Sequence, residues 1–111
     1  RNGMSIYSTQ NGEVISINYS FSGGNQIFIR NNDGSISGYA HTSAEGVIVG
    51  SRVYGGQRIG YSDASGWAKG KAHLHYTYRP PTHNGMPATL STPAYNPMMQ
   101  LSRAIRPPEM P

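Results

Sequence analysis

Lys71-Ala72-His73-Leu74-His75-Tyr76-Thr77-Tyr78 is the stretch on which the fold turns. Its aromatic and β-favouring residues alternate as in a half-buried strand, and a strand sends residues two apart to the same face. Leu74, Tyr76 and Tyr78 therefore read as a core face, with His73 and His75 together on the other. Two imidazoles side by side suit metal or proton chemistry, although the same spacing also occurs on solvated strand faces. The rest of the chain has to decide between the two.

The 111 residues, 36% of them hydrophobic, suffice for one small domain with a modest core. Gly 14 and Pro 8 against 13% charged residues favour short strands and tight turns over long helices, so the expected class is all-β, mainly antiparallel. Cysteine is absent, which excludes a disulfide framework, a thiolate nucleophile and Cys-ligated zinc. A metal would have to be held by His, Asp or Glu. No apolar run is long enough for a membrane span, and no signal-peptide pattern opens the chain. The net charge of +4 fits an anionic partner such as an acidic wall polymer. Its Lys and Arg residues are nevertheless scattered from Arg1 to Arg106 without a stripe, so no nucleic acid is expected as partner.

Upstream of the histidine stretch, Glu13 to Tyr19 alternates apolar and polar residues and reads as a strand with one buried face. Gln26 to Arg30 is a second strand, and Asp33-Gly34 between apolar runs marks a hairpin that returns through Ile36 to His41. His41 thus stands at a strand end, where functional groups gather and where a lone histidine is also often merely exposed. Glu45 to Tyr61 is a run of short β segments punctuated by glycine, a scaffold. Trp67 lies in the loop leading to His73, either as a binding platform at the rim or as a cover for the core edge. After Tyr78, Pro80-Pro81 breaks the sheet, His83 reads as surface, and a Pro-rich tail follows with a short helical turn at Met98 to Ile105.

Taken in order, these segments resemble the lysostaphin-like, or LytM-type, M23 family of zinc metallopeptidases. Gly24-Asn25-Gln26-Ile27-Phe28-Ile29 matches the family's G-N-x-V-x-I strand, Tyr39-Ala40-His41 its Y-A-H, and Val47 to Gly60 its V-x-x-G-x-x-V-x-x-G-Q-x-I-G. The match continues through Ser65-Gly66, then His73-Leu74-His75-Tyr76 as its H-L-H-F/Y, and Asn96-Pro97 with Leu101 is similar to its N-P-x-x-x-L, after an insertion around Pro80 to Ala94. The resemblance implies a small β-sandwich-like core with glycine-rich loops over residues 1–101 and a Pro-rich tail over 102–111. It also implies a zinc endopeptidase cutting bacterial peptidoglycan peptides at the cell envelope, as a secreted enzyme or from a virion. His75 would be a zinc ligand and His41 and His73 catalytic, while Asn25, Tyr39 and Trp67 are expected to meet the substrate.

The family's other two ligands come from an H-x-x-x-D motif. Setting Arg1 to Ser5 against it would replace both ligands and leave a dead site. Asn2 to Ser8 followed by Asn11-Gly12-Glu13-Val14 fits instead the family's later x-G-x-P-V-x-A and D-G-x-V. On that register the other ligands are expected in an upstream segment or another chain, or the parent protein never had them. Bottom-up, a zinc site of His41, His73 and His75 with one open position also stays open. A non-catalytic wall-binding or regulatory domain, and a structural module of a secretion or phage machine, are the alternative functions.

Overall fold

The computed structural model describes residues 3–65, 74–82, 84–94 and 104–105. Among the described residues eight strands form in chain order: β1 (Ser5–Tyr7), β2 (Gly12–Ser20), β3 (Gly24–Asn31), β4 (Ile36–Ala40), β5 (Thr42–Ala44), β6 (Arg52–Val53), β7 (Arg58–Ser62) and β8 (His75–Arg79). All pairings are antiparallel, in a five-stranded sheet of order β6-β2-β3-β4-β8 and a three-stranded sheet of order β1-β7-β5. The expected all-β, mainly antiparallel architecture is what the chain adopts. Ile6, Ile27, Ile29, Tyr39, Ile59 and Tyr76, drawn from both sheets, close one hydrophobic core.

The histidine strand takes the predicted phase. Tyr76 is buried, Leu74 and Tyr78 pack partly buried against the core, and His75 is exposed on the other face. Asp33-Gly34 makes the predicted hairpin: Gly34 adopts φ 91°, its N–H donates to the Asn31 carbonyl, and the Asp33 carboxylate accepts the Ser35 N–H. Such a φ is open to glycine at little cost. The helical turn expected at Met98 to Ile105 falls mostly outside the described residues. Within it Ala104, assigned from sequence to the tail, is buried in the core cluster.

Strand β2 departs from the expected single buried face. Val14 is fully buried, yet Ile17 and Tyr19, which share the apolar phase with Ile15, are exposed at 37% and 66%. A bulge at Ile15 shifts the register between Val14 and Ser16, so Ile17 pairs with buried Ile27 on the core side of the sheet. Its exposure comes instead from the three-stranded sheet, whose strands of 3 to 5 residues are too short to cover all 9 residues of β2.

Beneath the five-stranded sheet runs a buried polar seam. The Thr9 N–H donates to the Tyr39 hydroxyl at 3.0 Å, the Tyr76 hydroxyl and Ser37 Oγ lie 2.9 Å apart, and Asn31 Nδ2 donates to Ser37 Oγ at 2.9 Å. The two phenol rings meet edge to face at 5.3 Å. Burial pushes both hydroxyls above the ordinary tyrosine value of 10.0, and their hydrogen bonds only partly offset it. Tyr39→Phe removes the acceptor of a buried N–H. It is expected to cost about 1–3 kcal/mol, read as a lower urea midpoint at unchanged slope.

Candidate active site

Cross-strand partners share a face of a sheet, and the register sets two rows on the outer face of the five-stranded sheet. Gln26, Ala40 and His75 form one row; Phe28, Gly38 and Thr77 form the next. These rows floor a cleft of about 360 Å³ that His41 and Arg79 also line. At Gly38 a Cβ would lie 2.5 Å from Thr77 Oγ1 and 2.8 Å from a Phe28 ring carbon, so the absent side chain is what leaves the floor open.

His41 is the single residue between β4 and β5, where the chain passes from the larger sheet to the smaller. Tyr39 faces the core and Ala40 the cleft, so plain alternation would turn His41 inward. Its φ of 53° breaks the alternation. Histidine is among the residues that tolerate this left-handed region, at a cost of roughly 1–2 kcal/mol. The ring, with only 5% of the residue exposed, lines the cleft 6.2 Å from the His75 ring, centroid to centroid.

Three hydrogen bonds fix this conformation. The His41 N–H donates to the Gly23 carbonyl at 2.8 Å, the His41 carbonyl accepts the Asp63 N–H at 2.6 Å, and Nδ1 lies 2.7 Å from the Ser65 carbonyl. A carbonyl oxygen only accepts, so Nδ1 carries the hydrogen and Nε2 holds the lone pair of the neutral ring.

The Ser65 carbonyl is itself held by a carboxylate. Asp63 accepts from Ser43 Oγ at 2.5 Å, Asn25 Nδ2 at 3.0 Å, the Ser65 N–H at 2.9 Å and the Ser65 hydroxyl, and Ser65 Oγ also accepts the Asn25 N–H at 2.9 Å. Partial burial pushes the carboxyl up, but the bonds from Ser43, Ser65 and Asn25 outweigh it and hold the group below its ordinary 3.8. This knot joins β3 of one sheet to β5 and the end of β7 in the other. Sequence reading quoted Ser65 only as part of the matched Ser65-Gly66 and gave no role to Asp63 or Ser43.

Of the six site residues read from sequence, His41 and His75 meet at the cleft. Asn25 directs its amide into the Asp63 knot. Tyr39 is fully buried with its hydroxyl bonded to Thr9, so it supports the cleft from below. His73 and Trp67 lie outside the described residues, as does His83. Among the described residues no three His, Asp or Glu side chains gather as a metal site. The two imidazoles are nitrogen donors of the kind zinc takes, and they fit part of such a donor set.

Residues 1–88 match the model of Peptidase family M23. The chain belongs to that family. This M23 chain superposes on the catalytic domain of lysostaphin from Staphylococcus simulans with a TM-score of 0.74 at 32% identity, over 92% of itself and 73% of that chain. With a putative peptidase M23 from Pseudomonas aeruginosa the TM-score is 0.63 at 32% identity, over 68% of the M23 chain and 33% of its relative. With a zinc-containing peptidase from Vibrio cholerae it is 0.64 at 28% identity, over 84% and 28%. The M23 chain thus spans less than half the length of the last two. No curated protein matches it in sequence.

Proposed function

We propose that the chain carries the catalytic cleft of a zinc-dependent endopeptidase acting on bacterial cell-wall peptides, at the envelope or outside the cell. The observation that supports this most is the convergence of His41, from the β4–β5 junction, and His75, from β8, onto one open cleft, with the His41 tautomer set by Ser65. In this reading His75 is a zinc ligand, and the other donors come from outside the described residues. Zinc, when bound, supplies a Lewis acid that polarises the scissile carbonyl and acidifies a water.

The chain's own residues do the rest. His41, its Nδ1–H tied to Ser65, presents Nε2 to take a proton from the attacking water or to steady the developing oxyanion as its cation. His73 shares that work by its match to the family's first histidine of H-L-H. The open floor at Gly38 admits an extended backbone between the rows of β3, β4 and β8.

Release of dye-labelled cell walls, with metal analysis of the same protein, tests the reading. A chelator is expected to abolish release and added zinc to restore it. Unchanged release under chelation would sink the metal part. Binding to walls with neither release nor bound metal would favour a wall-binding module instead.

A further inference from the structure

Arg79 stands four residues beyond His75 on the same face of β8, about 13 Å along an extended strand. It lines the same cleft, with its guanidinium 5.6 Å from the centre of the Phe28 ring. Its hydrogen bonding is nearly idle: one nitrogen lies a long 3.5 Å from Thr77 Oγ1, and the buried Nε has no partner among the described residues. Carboxylates lie elsewhere. Glu13 pairs with Arg52, Asp33 caps the hairpin and Asp63 serves its knot, and none of the described acids lines the cleft.

A half-buried guanidinium stacked on an aromatic ring, with its Nε unpartnered and no acid beside it among the described residues, is poised for a planar anion. It is too far from the histidine pair to touch the bond cleaved. We propose that this end of the cleft is a carboxylate subsite built on Arg79, selecting peptides with a free carboxylate about three to four residues from the scissile bond. This rests on the peptidase reading for the word scissile, and on geometry alone for the carboxylate. A neutral glycine peptide leaves the Arg79 donors unmet, and a site built to pair such donors discriminates against the analogue that lacks the group.

The test is binding of the full chain to two N-acetylated, C-amidated glycine-rich peptides that are identical except for one Glu or Gln. The Glu peptide is expected to bind at least about tenfold tighter. Arg79→Met, which keeps an apolar stem over Phe28, should erase that preference while the Gln peptide binds as before. Arg79→Lys, which keeps the charge without the planar fork, is the second variant and should reduce it. Equal affinities in the unaltered chain, or a full preference retained in either folded variant, would overturn the subsite. Cleavage without a Glu preference would remove the subsite and leave the peptidase reading standing. A Glu preference without cleavage of either peptide would do the reverse.

Discussion

His41→Gly is expected to lower cell-wall release by about 10²–10⁴-fold while the protein stays folded. The two effects separate because of the backbone. Glycine takes the φ of 53° without a Cβ penalty, which returns roughly 1–2 kcal/mol, while losing the bond to Ser65 and gaining unfolded-state freedom cost about as much. The melting temperature should therefore move by no more than about 5 °C. His41→Ala should lose the same activity and melt lower than His41→Gly, since it forfeits the ring and keeps the strain. A His41→Gly protein that releases walls at the original rate would remove His41 from the chemistry.

Asp63→Ala is expected to act on both stability and rate. It leaves the donors of Asn25, Ser43 and Ser65 without their acceptor, at a cost of about 1–3 kcal/mol, with water replacing part of the loss because the carboxylate is only partly buried. With Ser65 released, the His41 ring loses its fixed orientation, and kcat should fall about 10–100-fold with KM changing less. Asp63→Asn keeps one acceptor oxygen and should fall between. The pH dependence has a definite sign. The folded carboxyl titrates below 3.8, so as pH falls the unfolded chain binds the proton first. Its stabilisation is whole above about pH 4 and drains away as pH drops through the lowered folded value. Urea midpoints of the natural chain and Asp63→Asn should therefore differ near neutrality and converge only once pH falls below the lowered folded value. A gap that persists in acid would mean the carboxylate charge is not what holds the knot.

Much of the fold was open to reading because its signals are local. Period-two alternation set the faces of Leu74, His75 and Tyr76, and Asp33-Gly34 set a hairpin through glycine's freedom at φ 91°. What was hidden depends on a break in such periodicity. The Ile15 bulge sets Ile17 opposite buried Ile27, yet Ile17 and Tyr19 lie in solvent because the short second sheet stops before it covers them. The side on which His41 emerges likewise follows from one dihedral angle that no residue pattern announces. Family motifs named His41 and His75; only coordinates show that the Asn25 amide goes to Asp63 and that Tyr39 is sealed beneath the sheet. Asp63 escaped notice because, besides the neighbouring Ser65, its donors Asn25 and Ser43 are distant in the chain and reach it only after the sheets pair.

The distance in sequence of Asn25 and Ser43 from Asp63 bears on when the cleft is completed during folding. The bonds that orient the His41 ring close separations of 24, 38 and 40 residues, from His41 to Ser65, Asn25 to Asp63 and Asn25 to Ser65. Contacts so distant in sequence are slow to form because closure entropy precedes any gain. A nascent or half-collapsed chain holds its imidazole unaimed, so the cleft proposed for hydrolysis is complete only in the finished globule.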